Sequence, residues 1–199
     1  KGNDSKHGYA ASTIATDGEH LFVFFGVSGV YCLDLKGNVV WNTDVGSTAH
    51  HWGSGTSPVL YKNLVIVNAS VESSTLFALD KATGKVVWEV PEVAKCWSSP
   101  MLVDVSGKQE LVLNMPHQIT GFDPATGKQL WRCEGIPDGY VVPSVVSNGD
   151  VIYAIGGRKN TAMAVRAGGR GDVTDSHVLW SVGKGNNVSS PVYHDGYLY

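Results

Sequence analysis

A short motif recurs along this chain at a spacing that few folds can accommodate. Its clearest copy runs from Ala78 to Trp88: an apolar stretch ends at Asp80, a turn follows with Gly84, and the chain returns to Trp88. An Asp at the start of a turn accepts hydrogen bonds from backbone N–H groups two or three residues later, and Gly supplies a positive φ at no steric cost. The motif therefore predicts a β-hairpin whose return strand buries a tryptophan against a neighbouring sheet.

The motif returns three more times. Two copies are clean, from Asp34 to Trp41 and from Asp123 through Gly127 to Trp131, and a degenerate copy has Arg166 in the Asp position and Trp180 fourteen residues later. The tryptophans of successive copies are separated by 47, 43 and 49 residues. A period in the forties with four strand-like runs per period predicts an all-β fold, a β-propeller of four-stranded antiparallel blades.

We divide the chain into four complete blades and half of a fifth, within a single propeller domain spanning 1–199. The predicted blades cover 7–46, 50–91, 95–135, 139–183 and 187–199. The strands of each blade are labelled A to D from the central channel outward. The chain is interpreted as part of a larger propeller ring of seven or eight blades. An isolated open arc would leave bare edges and should self-associate.

A second repeat marks the innermost strand of each blade. Ser57-Pro58, Ser99-Pro100 and Ser190-Pro191 each precede an apolar residue, and Val142-Pro143-Ser144 is a shuffled version. Proline has no N–H, so within a sheet it belongs at an edge, as on a strand that faces the channel. We expect A strands over 11–14, 56–60, 98–104, 141–147 and 189–193.

Composition excludes several classes of function. The formal charge is −3, so no global positive field favours nucleic acid, and no apolar run is long enough to predict a transmembrane helix. Cys32, Cys96 and Cys133 have no metal-binding or redox spacing and are expected to be packing residues.

The two repeats together resemble the pyrroloquinoline-quinone-like (quinoprotein-type) β-propeller repeat family. The resemblance covers essentially the whole chain and implies a closed propeller in an exported or periplasmic bacterial protein. The family contains quinone-dependent dehydrogenases. It also contains non-enzymatic propellers, among them a lipoprotein of the outer-membrane protein assembly machine.

The resemblance leaves two functions open. Quinone-dependent alcohol dehydrogenases carry an adjacent cysteine pair, an acidic base and a calcium site of Glu, Asn and Asp, and this chain has no such cysteine pair. Glu72 in a B–C loop and Asn187 in a D–A loop are conceivable ligands for calcium and pyrroloquinoline quinone, although we expect both to be solvated loop residues. The alternative is a non-catalytic scaffold without a cofactor that binds a protein or carbohydrate partner.

The D–A loops supply the candidate binding residues. They are aromatic, cationic or amide side chains near the starts of the blades: His7, His50, His51, Trp52, Lys95, Trp97, Tyr140 and Asn187. Such side chains can bind a planar ligand or a loop of a partner, or they can plug the channel mouth and cap strand ends. A metal pair of His50 and His51 is disfavoured, because adjacent residues on a strand point to opposite faces. Arg170-Gly171-Asp172, in the insertion of the degenerate repeat, is expected to form a turn.

Overall fold

The computed structural model describes residues 12–199, and these residues fold into sheets built on antiparallel meanders, one of which gains an extra parallel strand. His7 and the start of the first predicted blade lie outside the described residues. The chain divides into two compact units, one ending at Val93 and one beginning at Ala94. No helix among residues 12–199 has the length and hydrophobicity needed to cross a bilayer.

The first unit contains two four-stranded sheets. The strands of the first sheet are β1 Ala15–Thr16, β2 His20–Phe24, β3 Val30–Asp34 and β4 Val39–Thr43. The strands of the second are β5 Val59–Tyr61, β6 Leu64–Ala69, β7 Thr75–Asp80 and β8 Val86–Val90. In each sheet the hydrogen-bonded order is the chain order, so these are blades one and two. Strand β6 is buried along its whole length, whereas β8 is mostly exposed, as expected for inner and outer strands.

The second unit contains blade three, blade four and a final two-stranded hairpin. Blade three consists of β9 Met101–Val105, β10 Lys108–Met115, β11 Gln118–Phe122 and β12 Gln129–Glu134. Blade four consists of β13 Val146–Asn148, β14 Val151–Gly156, β15 Thr161–Arg166 and β17 Val178–Val182. Strand β16, Gly171–Asp172, lies in the insertion between β15 and β17. The hairpin pairs β18 Tyr193–His194 with β19 Tyr197–Leu198. The prediction of four-stranded antiparallel blades is confirmed.

The inner A strands begin later than predicted, with β5 starting at residue 59 rather than 56 and β9 at 101 rather than 98. The reason is the Ser-Pro motif, whose proline cannot donate to the ladder and immediately precedes these strands. The serine hydroxyl takes another role. Ser57 Oγ accepts a hydrogen bond from Thr13 N–H at 2.9 Å, and Ser144 Oγ accepts one from Ser99 N–H at 2.8 Å. In both cases the serine links its blade to the preceding blade.

The motif tryptophan of blade one contacts the motif turn of blade two. Trp41 Nε1 donates a hydrogen bond to Lys81 O at 3.0 Å, and Thr43 Oγ1 donates to Gly84 O at 2.6 Å. Gly84 lies directly beneath the Trp41 ring, so closely that a Cβ there would be 2.6 Å from Trp41 Cε3. Within the first unit the repeated Asp–Gly–Trp pattern thus holds consecutive blades together.

The insertion of the degenerate repeat binds blade three. Strand β16, Gly171–Asp172, pairs in parallel with β12 and adds a fifth strand to that sheet, and the short helix α1, Thr174–His177, follows it. Arg132 Nη2 and Asp172 Oδ2 are 3.2 Å apart in an ion pair beside this pairing. The expectation of a turn over 170–172 was therefore wrong for Gly171 and Asp172. Their backbone covers the outer edge of β12, which would otherwise leave ladder groups bare.

Arg170, the first residue of the same triplet, belongs to a polar network inside the second unit. Glu110, almost fully buried, accepts hydrogen bonds from Trp131 Nε1 at 2.6 Å and from Gly168 N–H at 3.1 Å. Arg170 Nη1 donates to the other carboxylate oxygen of Glu110 at 3.0 Å. In blade one the motif tryptophan donates to the turn of the next blade, but here the insertion replaces that turn and a carboxylate accepts the indole N–H instead.

Candidate functional site

The meander separates two kinds of connection. In each blade the A–B and C–D turns lie at one end of the strands, and the B–C and D–A loops lie at the other. The repeated Asp and Gly residues belong to the first kind. We call the B–C and D–A connections of a blade its loop end, and the other connections its turn end.

The motif carboxylates are occupied in shaping the turns. Asp80 Oδ1 accepts hydrogen bonds from the Thr83 hydroxyl at 2.7 Å and from Thr83 N–H at 2.9 Å, and these bonds lower the pKa of Asp80. Asp34 accepts bonds from the side chain and backbone of Asn38, which likewise lower its pKa. These aspartates stabilise hairpins and are not placed for catalysis.

Glu72 is buried at the loop end of the first unit. Only 2% of it is exposed, and its carboxylate accepts a hydrogen bond from the Ser54 hydroxyl. Gly26 and Gly46 pack against it: a Cβ on Gly26 would lie 3.3 Å from Glu72 Oε1, and one on Gly46 would lie 2.6 Å from Glu72 O. The expectation that Glu72 is a solvated loop residue was wrong, because loops from both blades close over it.

Three rings gather in the D–A loop that leads into blade two. The ring centroids of His50 and His51 are 4.2 Å apart, and each lies 5.1 Å from the Trp52 ring. This differs from the expectation that the two histidines point to opposite faces. Residues 50–52 form a turn and not a strand, as the bond from Gly53 N–H to His50 O at 2.8 Å shows, and the alternation rule does not hold in a turn.

The second unit brings together two other candidates. The rings of Trp97 and Tyr140 have centroids 6.0 Å apart with a 55° angle between their planes. Arg158, from the B–C loop of blade four, places its guanidinium 4.9 Å from the Tyr140 ring centroid, and Arg158 Nη1 pairs with Asp138 Oδ1 at 3.2 Å. Neither Arg158 nor Asp138 lies in a repeated motif, and the sequence did not pair them.

The remaining candidates are more dispersed. Lys95 is exposed and lies two residues before Trp97. The side-chain oxygen of Asn187 is buried without a hydrogen-bond partner among the described residues. Neighbouring Asn186 Oδ1 instead accepts bonds from Val188 N–H and Ser189 N–H, at 3.0 and 3.1 Å.

Within residues 12–199, no group of three or more His, Cys, Asp and Glu side chains is arranged to hold a metal ion. Cys32, Cys96 and Cys133 are buried, and desolvation raises the pKa of the Cys133 thiol to about 11. A buried thiol of this kind is protonated and unreactive at neutral pH.

Comparison with known proteins identifies two groups of relatives. A family model described as outer membrane protein assembly factor BamB matches residues 3–199. Quinohemoprotein alcohol dehydrogenase ADH-IIG from Pseudomonas putida is 26% identical over 148 residues, which are 67% of this chain and 20% of that enzyme.

Two solved structures share the fold. BamB from Moraxella catarrhalis has a TM-score of 0.64 at 18% identity, over 87% of this chain and 51% of that one. The quinohemoprotein alcohol dehydrogenase from Comamonas testosteroni has a TM-score of 0.61 at 18% identity, over 88% of this chain and 35% of that one. The chain thus spans about half, or less, of the length of the relatives it matches.

Proposed function

Since this chain belongs to the family described as outer membrane protein assembly factor BamB, we propose that it is part of an exported, periplasmic bacterial propeller that binds a partner protein. Binding occurs through the loop ends of its blades, and the propeller catalyses no reaction itself.

The observation that carries this proposal is the placement of Trp97, Tyr140 and Arg158 at the loop end of the second unit. Trp, Tyr and Arg are the residue types that most often dominate the free energy of protein–protein binding. The repeated motifs cannot supply such a surface, because their polar groups are used in turns and between blades.

A protein partner fits this surface better than a carbohydrate. The planes of Trp97 and Tyr140 are inclined by 55° and so do not form one continuous flat surface for a chain of stacked sugar rings. The description of the matched family, outer membrane protein assembly factor BamB, also favours a protein partner.

Site-specific photo-cross-linking in the source organism tests the proposal. A cross-linking residue at Lys159, on the loop end of blade four, should give one discrete adduct with a partner protein. The same residue at Lys128, in the exposed C–D turn of blade three, is the matched control and should give none. Equal labelling from both positions, or labelling from neither, would refute binding through the loop ends.

The relatives support a second candidate, a quinone-dependent oxidoreductase that uses pyrroloquinoline quinone with calcium. In that case the remaining catalytic groups lie in parts of the natural protein beyond these 199 residues. The full natural protein would be mixed with pyrroloquinoline quinone and calcium, and then assayed for bound-cofactor absorbance and for dye reduction with alcohols. Stoichiometric binding with turnover would replace the scaffold proposal.

A further inference from the structure

Arg158 combines exposure with an unusually fixed position. About 66% of its side chain is exposed, yet its guanidinium lies over the Tyr140 ring at 4.9 Å. A cation over an aromatic face is attracted by the ring quadrupole, and the flat guanidinium can stack there while its outer N–H groups still face solvent.

Asp138 and Gly157 fix the loop that carries this arginine. Asp138 Oδ2 accepts a hydrogen bond from Arg158 N–H at 2.7 Å, while its Oδ1 pairs with Arg158 Nη1 at 3.2 Å. Gly157 has φ +71°, and a Cβ there would lie 2.9 Å from both Asp138 Cβ and Ile136 Cγ2. The B–C loop of blade four is therefore packed closely against the preceding D–A loop. Less side-chain entropy is lost when such a preorganised arginine binds a ligand.

Trp97 extends this arginine surface on the aromatic side. Its ring lies 6.0 Å from Tyr140, and its backbone N–H donates to Val141 O at 3.0 Å, which ties the two D–A loops together. Lys95 and Lys159 are both exposed and next to this group in the sequence.

We propose that Trp97, Tyr140 and Arg158, with Asp138 holding the arginine in place, bind an acidic peptide segment of the partner protein; these four residues are here called the Arg158 platform. A Glu or Asp carboxylate of the partner accepts hydrogen bonds from Arg158, and an adjacent aromatic residue packs against Trp97 and Tyr140. This inference rests on the proposed function and specifies the chemistry of the partner.

The aromatic contact explains the preference for a peptide over a small anion. Inorganic phosphate and glucuronate can reach the guanidinium but carry no aromatic ring to pack against Trp97 and Tyr140. Arg158 still forms strong charge-assisted bonds with a single carboxylate, because only one of its terminal nitrogens is paired with Asp138.

Nuclear magnetic resonance of the ¹⁵N-labelled full natural protein tests the platform with a defined probe. The probe is the peptide acetyl-Gly-Glu-Phe-Gly-amide, titrated to about 10 mM, because contacts this small are expected to bind in the millimolar range. We expect shifts at the amides of residues 157–159 and at the Trp97 indole. The Gln version of the peptide, inorganic phosphate and glucuronate are titrated in parallel and should each bind at least about 5-fold more weakly.

Two arginine variants locate the binding. Arg158→Gln should weaken binding of the peptide about 10-fold. Arg166→Gln is the matched control, because Arg166 is a similarly exposed arginine of blade four at the turn end. Its Nε lies 3.8 Å from Asp150 Oδ2. This control should bind the peptide as the wild type does.

Several outcomes would overturn the platform. They are peptide affinity that survives Arg158→Gln, equal affinity for the Gln peptide, tighter binding of phosphate or glucuronate, or no shifts at 10 mM peptide. Failure of the scaffold function is distinguishable from these. Peptide binding at Arg158 without any partner adduct at Lys159 would refute the scaffold function but not the peptide-binding platform. A partner adduct that persists in Arg158→Gln would refute the peptide-binding platform but not the scaffold function.

Discussion

The contact between Gly84 and Trp41 can be tested by adding a single methyl group. In Gly84→Ala the new Cβ would lie 2.6 Å from Trp41 Cε3 and 2.8 Å from Thr43 Oγ1, at a residue whose φ is +73°. The left-handed backbone costs about 1–2 kcal/mol for a residue with a Cβ, and overpacking adds about 1–3 kcal/mol. The total expected loss is about 2–5 kcal/mol of unfolding free energy.

Gly37 supplies the matched control, since it occupies the corresponding turn of blade one. Its φ is +87°, but no atom lies within 4 Å of a Cβ built there. Gly37→Ala should therefore lose only the free energy of unfolding that comes from the left-handed backbone, about 1–2 kcal/mol. The difference between the two variants isolates the contact between the blades.

Urea unfolding, followed by tryptophan fluorescence and far-ultraviolet circular dichroism, measures both variants. The resonance of the Trp41 indole N–H should also move in Gly84→Ala and stay in place in Gly37→Ala, because that N–H donates to Lys81 O. Equal losses of stability in the two variants would refute the conclusion that the motif turn of blade two packs against Trp41 of blade one.

Three further predictions concern the polar contacts. In urea unfolding, Glu110→Ala should lower the free energy of unfolding by about 2–4 kcal/mol and Arg170→Ala by only about 1 kcal/mol. Removing Glu110 leaves a buried indole N–H without an acceptor, whereas the Arg170 side chain is mostly exposed. Equal losses in the two variants would contradict this. Bonds from Lys81 and the local backbone hold the pKa of Asp17 far below its usual 3.8, so its contribution to stability is present above pH 4 and is lost as the pH falls further. Asp17→Asn should consequently lower the melting temperature at pH 7, with the difference from wild type shrinking toward pH 2; a constant difference would be evidence against this linkage. Ser144→Ala should lower the free energy of unfolding by about 1 kcal/mol. It should also speed amide hydrogen exchange at Ser99, because the Ser99 N–H loses its acceptor. Unchanged exchange would show that this hydrogen bond does not stabilise the contact between the blades.

The candidate site was only partly accessible to sequence reasoning. Aromatic residues such as Trp97 and Tyr140 could be selected because they lie at fixed distances from the Ser-Pro motif, and the structure places their rings side by side. Arg158 and Asp138 are twenty residues apart and belong to no repeat, so nothing local pairs them. Glu72 was misjudged because its burial depends on loops contributed by both blades of its unit.

The sequence by itself determined the blade. The Asp–Gly turns, the proline at the inner edge and the tryptophan period follow from hydrogen bonding and backbone geometry over a few residues, and those constraints hold whatever the neighbours are. The tertiary structure decided how each blade uses its neighbour: the serine acceptors across blades, the strand β16 on the edge of β12, and the Glu110 network that joins residues up to 60 positions apart. Such contacts depend on which surfaces pack together, because a side chain's burial and partners are set by segments distant in the chain.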